Sequence, residues 1–356
     1  MPKHTAVIAG ATGAASKRLV EVLLADPDWR VVGLSRRPPK SEHPRMTYLG
    51  ADLTDPANTR AALAKVPDAT HLFYTARATF TDATLGVEDV EGNAAMVRNL
   101  VDAGEAEAKG LQHIHLVEGT KWYGMHLGGM LTPAREDDPR HMPPNFYYDQ
   151  EDFLRERQRG KNWNWTIFRP PAVCGFAVGS PMNTILVIGL YAAISRELGL
   201  ALRFPGALGH LKDACDAQLL AKAVHWAGGS ASANNQIFNV SNGECFLWEQ
   251  VFPKIAEVFG MEHATPHAMS LGRVMADKSP VWDRMVAKYN LKPYRYDELV
   301  KSWEYADFTF RYRQAPFESL QSTIKIRQAG FSECIDTQAM FVAQLRKLQR
   351  DRILPQ

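Results

Sequence analysis

The chain has 356 residues, 46% of them apolar, which is more than one minimal core needs and suits one large domain or a domain with a second lobe. Its 41 basic and 39 acidic residues nearly cancel, so no bulk field recruits nucleic acid or an anionic membrane, and a small-molecule partner is expected. The four cysteines, Cys174, Cys215, Cys245 and Cys334, lie far apart with no CxxC pair, which argues against both a disulfide framework and a thiolate metal site.

The opening MPKHTAVIAG enters a strand directly, without a charged leader, a long apolar region or a cleavage signal, so a cytoplasmic location is expected. Residues 5–9 (TAVIA) form a short apolar run. A Gly-rich turn follows, then the periodic stretch Leu19, Val20, Val22, Leu23, Leu24, then a second strand at 29–34. Further strands are predicted at 46–49, 71–74, 112–117 and 165–168. Helix-compatible segments separate most of them, which favours a parallel sheet covered on both faces. The run TILVIGLYAAI at 184–194 is far short of the roughly 20 residues that span a bilayer and reads as a buried helix. A helix near 213–226 and a strand and turn in QIFNVSNG follow, and the last hundred residues are rich in aromatic and charged helical segments.

The turn GATGAAS places Gly10 and Gly13 between the first strand and the first helix. Small residues there let the backbone approach a pyrophosphate, and the helix N-terminus receives it. Ser16 replaces the third glycine of the usual fingerprint, a mild departure. The second strand ends in LSRRPP, without the acidic residue that accepts ribose hydroxyls in NAD enzymes. Arg36 and Arg37 suit a 2′-phosphate, so NADPH/NADP is the expected cofactor. Asp52 and Leu53, after the third strand, lie where an adenine edge could be contacted, and Asp52 reads equally as a turn residue. The expected fold is α/β: a Rossmann-type doubly wound parallel sheet with a smaller, mostly helical C-terminal substrate lobe. Residues 1–175 form the NADP-binding domain, to which 205–243 return; 176–204 and 244–356 form the lobe, with the ligand expected in a cleft between the two.

Pro143, Pro144 and Asn145 form a stop before a helix that starts at NFYYDQED, which puts Tyr147 in the first turn. Upstream, the strand HIHLV runs into EGTKWYG, which puts Lys121 just past the carboxyl end of a central strand, the edge where open α/β sheets bind ligands. A phenol of ordinary pKa near ~10 needs a neighbouring cation to act at neutrality, and Lys121 is the candidate. On spacing alone, packing for the tyrosine pair and solvation for the lysine remain open alternatives.

The segments GATGAAS, SRRP, THLFYTA, GTKWYG, NFYYDQED, FRPPAVCGF, SPMN, LYAAI, FNVSNGECFLWEQ and SPVWDRM, in that order, resemble the progesterone 5β-reductase and iridoid synthase family of extended short-chain dehydrogenases. The resemblance implies NADPH-dependent reduction of the carbon–carbon double bond of enones and enals. It implies Tyr147 as the catalytic tyrosine and Lys121 as its partner. Cofactor contacts are implied at Thr12, Gly13, Ala14, Ser35, Arg36, Arg37, Asp52, Leu53 and Val173, with Ser180 and Met182 near the phosphates or nicotinamide. The expected partner is a small apolar carbonyl substrate; a homodimer is compatible with this. Where plant members read VTW after FY, this chain has Thr75, Ala76 and Arg77, so substrate identity does not carry over.

Two other readings stay open at this point: carbonyl reduction by the same residues, and a non-enzymatic NADP(H)-binding redox sensor. His113 and His115 lack a ligand cluster and read as packing, and no metal is expected. Glu136, Asp137 and Asp138 read as a solvated acidic loop. Trp122 and Tyr123 read as pocket walls, and the aromatic stripe Trp303, Tyr305, Phe308, Phe310 and Tyr312 as lobe core or pocket lining.

Overall fold

The computed structural model describes residues 2–78, 88–180, 182–315 and 317–356. In chain order the main elements are β1 (His4–Ala9), α1 (Ala14–Ala25), β2 (Trp29–Ser35), β3 (Met46–Gly50), α2 (Pro56–Leu63), β4 (His71–Tyr74) and α3 (Val90–Glu107). They continue with β5 (His113–Val117), α4 (Phe146–Gln158), β6 (Asn164–Arg169), β7 (Val173–Cys174), α5 (Thr184–Glu197), β8 (Cys215–Asp216), α6 (Ala217–Gly229), β9 (Gln236–Asn239) and α7 (Trp248–Phe259). The chain divides into two compact units. The first comprises Met1–Pro171, Ala217–Val240 and Gln321–Glu333; the second comprises Ala172–Asp216, Ser241–Leu320 and Cys334–Gln356. The return to the sheet thus begins at Ala217, not at 205, because the segment before it pairs β8 with β7 in the second unit. A further return, Gln321–Glu333, anchors through Gln321, whose Nε2 donates to the Arg169 carbonyl at 2.8 Å.

The first unit is built on one parallel sheet in the order β3-β2-β1-β4-β5-β6-β9. Both faces are covered, so its central strands read as continuous apolar runs rather than alternating ones. One face buries Val7, Ala9, Leu72, Leu116 and Ile167 with the apolar sides of α2 and α3. The other face carries His71, Phe73, His113 and His115 in a stack, with Trp29 across it, and His71 Nε2 lies 3.2 Å from the Gly228 carbonyl at the end of α6. Helices α2 and α3 start where a short polar side chain occupies the cap. Asp55 Oδ1 accepts from the Ala57 and Asn58 amides at 2.9 and 3.1 Å ahead of Pro56, and Asp89 accepts from the Gly92 amide at 2.8 Å. The strand order reverses between β1 and β4, which opens a crevice at their carboxyl ends.

The second unit gathers around α5, in which every residue from Thr184 to Ser195 is buried, as the uninterrupted apolar run predicts. Phe204, Trp248, Phe252 and Phe310 meet edge to face beside it. Trp303 and Phe310 belong to this core, and Tyr305 packs against it with its hydroxyl 2.9 Å from Thr184 Oγ1.

Candidate active site

Gly10 follows β1 with φ +81°, and a Cβ there would meet the Ala76 Cα at 2.8 Å and its N at 2.9 Å. Both the left-handed backbone and the closeness of the chain leaving β4 require glycine. Gly13 caps α1 with no side-chain hydrogen bond, leaving the amides of that helix start for an anion; Thr12 is exposed and Ala14 opens the helix. Ser16 does more than permit close packing: its Oγ lies 2.8 Å from the Gly10 carbonyl and 2.6 Å from Thr75 Oγ1, tying the turn to the end of β4. Beyond β2, Ser35 Oγ accepts from the Arg37 amide at 3.3 Å, and Arg36 and Arg37 are exposed. Asp52 accepts from the Thr54 amide and hydroxyl at 3.0 and 2.7 Å; those bonds, with a smaller pull from Arg36, hold its carboxyl below the usual range. Leu53 is buried in the sheet core and offers its carbonyl to Asn99 at 2.8 Å. A glycine cradle, an uncapped helix start and two exposed guanidinium groups fit a phosphorylated dinucleotide.

Val173, Ser180 and Met182 belong to the second unit. Val173 lies in β7, Ser180 is half-buried, and Met182 is exposed. Pro181, within the SPMN segment, lies outside the described residues.

Past β5 the chain passes through Glu118 and Gly119 into a single helical turn, Thr120–Tyr123, that carries Lys121. Tyr147 stands in the first turn of α4, and its hydroxyl is 3.4 Å from where a Cβ on Gly119 would be. One side chain ties the two segments together. Asn145 Oδ1 caps α4 by accepting from the Tyr147 amide at 3.1 Å, and Asn145 Nδ2 donates to the Lys121 carbonyl at 2.8 Å. Sequence reasoning gave Asn145 only the role of a helix stop. Tyr147 is buried, and burial pushes its phenol up to about 12, against the pull of Arg77 and with smaller pushes from Glu88 and Glu118. The phenol is therefore protonated at neutral pH and has a hydrogen to donate. Burial lowers Lys121, as does Arg77, while Glu88, to which its Nζ donates, opposes both.

Behind this turn lies a buried ionic group that the sequence did not announce. The Arg169 guanidinium, at the end of β6, donates to Glu118 Oε2 at 2.9 Å and to Glu151 Oε2 at 2.6 Å, and stacks 3.5 Å from the Trp122 ring centroid. Trp122 Nε1 donates to Glu151 at 2.9 Å and the Tyr123 hydroxyl donates to Asn239 Oδ1 at 2.6 Å, so both buried rings are tied into the network. Burial pushes the Glu118 carboxyl up despite Arg169. The Tyr148 hydroxyl donates to the Trp122 carbonyl at 2.7 Å and accepts from the His141 amide at 2.9 Å, which makes it a brace. Asp152 pairs with Arg140 at 2.6 Å. Glu136 is not a solvated loop residue: half-buried, it accepts from the Asn239 amide at 2.8 Å. Among the described residues there is no cluster of His, Cys, Asp or Glu that could hold a metal, and no helix long and apolar enough to cross a membrane.

Residues 49–355 match the PRISE-like Rossmann-fold domain family, and the chain belongs to that family. It is 34% identical to the (S)-8-oxocitronellyl enol synthase ISY2 of Nepeta racemosa, over 98% of this chain and 91% of the relative. It is 33% identical to the (S)-8-oxocitronellyl enol synthase of Catharanthus roseus, over 99% and 93%. Among solved structures, the Bordetella bronchiseptica enzyme WbmH in complex with NAD+ superposes with a TM-score of 0.67 at 16% identity, covering 97% of this chain and 98% of that one. UDP-glucose 4-epimerase of Thermus thermophilus, complexed with NAD, gives 0.62 at 18% identity, covering 96% and 99%. At such identities the two structures establish the fold alone.

Proposed function

We propose that this member of the PRISE-like Rossmann-fold family is an NADPH-dependent ene-reductase that delivers hydride to the β-carbon of an enone or enal. What carries the reading is the buried, protonated Tyr147 phenol against the Gly119–Lys121 segment, at the sheet edge that also bears the cofactor turn. Relatives named for an enol product support it, since an enol is what 1,4-reduction of an enal leaves when the proton goes to oxygen.

Gly10, Thr12, Gly13 and Ala14 would cradle the pyrophosphate at the start of α1, Ser35, Arg36 and Arg37 the 2′-phosphate, and Asp52 and Leu53 the adenine edge. Val173, Ser180 and Met182 are proposed to complete the contacts toward the phosphates and nicotinamide. Bound in that cradle, NADPH supplies the hydride and leaves as NADP+. As the β-carbon gains the hydride, the double-bond electron pair moves through the α-carbon onto the carbonyl oxygen as an enolate. Tyr147 donates its hydrogen bond to that oxygen, and Lys121 contributes positive charge beside it. A proton from water completes the product, so one hydride and one proton are added in all. The substrate is a small carbonyl compound, and an apolar one is proposed.

Purified protein with NADPH and cyclohexenone is expected to consume NADPH and yield cyclohexanone. Tyr147→Phe is expected to lower kcat by about 10²–10³-fold, the usual cost of one oxyanion donor. Full activity in that variant would sink the role of the phenol.

A further inference from the structure

Two departures from the expected sequence pattern meet in one contact. Ser16 stands where the fingerprint has its third glycine, and Thr75 where plant members of the family have valine; 59 positions apart, their hydroxyl oxygens lie 2.6 Å from one another. Neither a glycine at 16 nor a valine at 75 could form this bond. Ser16 Oγ also donates to the Gly10 carbonyl at 2.8 Å, and Thr75 Oγ1 donates to the Ala9 carbonyl at 2.8 Å. Each hydroxyl has one hydrogen, so with that of Thr75 committed to Ala9, the Ser16 hydrogen is shared between Gly10 and Thr75. The Thr75 amide donates to Ala9 as well, at 3.1 Å. Ala9 ends β1 and Tyr74 ends β4, the strands between which the sheet order reverses, so these bonds join the two lips of the crevice that opens there.

We propose that Ser16 and Thr75 are positioning residues for the dinucleotide: their paired hydroxyls clasp the glycine turn to the end of β4 and so set the pyrophosphate cradle before the cofactor arrives. The Gly10 carbonyl is the point of control. It accepts from the Gly13 amide at 3.1 Å as well as from Ser16, both at the start of α1, and a carbonyl held there is kept from turning toward an incoming phosphate, which would repel it. Gly10, at φ +81°, needs such a hold, because glycine has the widest backbone freedom of any residue. Ordering that turn only at the moment of binding would weaken affinity, and the clasp orders it beforehand. Ser16 is 1% exposed, so its hydroxyl acts through Gly10 rather than by touching the nucleotide. The clasp also fixes the approach of the next residue, Ala76, whose Cα lies 2.8 Å from where a Cβ on Gly10 would be.

This inference rests on the proposed placement of the pyrophosphate at residues 10–14, and calorimetric titration of the full chain separates the failure of one from the failure of the other without any enone. The probes are NADP+ and adenosine 2′-monophosphate, which keeps the adenine and the 2′-phosphate but lacks the pyrophosphate. In S16A and in T75V the Kd for NADP+ is expected to rise about three- to tenfold, the span of one net hydrogen bond, with that for adenosine 2′-monophosphate unchanged. The double variant is expected to bind NADP+ within about twofold of the weaker single variant, since each change breaks the same clasp. T75S, which keeps the hydroxyl, is expected to bind both probes as the wild-type chain does. Tight NADP+ binding that S16A and T75V leave unchanged, losses that add in the double variant, or equal losses for the two probes would overturn the clasp alone. A wild-type chain that does not bind NADP+ would remove the pyrophosphate placement, and the clasp with it.

Discussion

Arg36 and Arg37 follow β2 and are exposed, at the position where an acidic side chain would accept ribose hydroxyls. A charge-assisted bond to phosphate contributes about 1.5–3 kcal/mol, so replacing both with alanine is expected to raise KM for NADPH by about ten-fold or more and leave that for NADH unchanged. Equal effects on both cofactors in a steady-state comparison would contradict 2′-phosphate recognition. These arginines, with Gly10, Lys121 and Tyr147, were legible because each is marked by a strand end or a helix start in its own segment. Asn145, Arg169 and Glu88 were not, because their roles lie in partners distant along the chain. Asn145 reaches back to the Lys121 carbonyl, Arg169 gathers Glu118 and Glu151, and Glu88 holds Lys121 and Arg77. The one available signal was the charged residues next to the GTKWYG and FRPP segments.

The turn bearing Lys121 is held from below by β6 through Arg169, and from the side by α4 through Glu151 and Asn145. Removing one member of a buried ionic group strands the others without compensation. Arg169→Met is expected to reduce unfolding free energy by about 3–5 kcal/mol, measured by urea denaturation, and to lower kcat through displacement of the turn. A loss below about 1 kcal/mol would mean that the network is dispensable. Strands and long helices of the sheet unit were readable as apolar runs alternating with periodic segments, and α5 as one continuous buried run. The return of Gln321–Glu333 was not, since its helix, Ile324–Gln328, is too short to carry a periodic signature and its attachment runs through scattered hydrogen bonds and the packing of Phe331 on Trp226.

At the scale of the molecule, stability should depend on pH through the histidine stack. Burial lowers His71 to about 4 and His113 to about 3, and holds His115 well below its ordinary value, with its neighbours adding to the effect. The unfolded chain binds protons on these groups below about 6.5, whereas the folded chain refuses them. Their penalty is absent above about pH 6.5 and grows as pH falls toward the folded values. His115 packs 4.5 Å from Phe73 and 4.2 Å from His113, and neither of its ring nitrogens has a hydrogen-bond partner among the described residues. His115→Phe is expected to shrink the fall in urea midpoint between pH 7 and pH 5; an unchanged fall would place the acid sensitivity elsewhere. The alternation in HIHLV showed that the two imidazoles share a face, but not that His71 extends the stack, because that depends on strand register. The reaction itself is tested most directly by following the transferred atom. With NADPH deuterated at the nicotinamide C4 and an enal as substrate, deuterium is predicted at the β-carbon of a product whose carbonyl is retained; deuterium at the former carbonyl carbon, with the double bond intact, would contradict the proposed reduction.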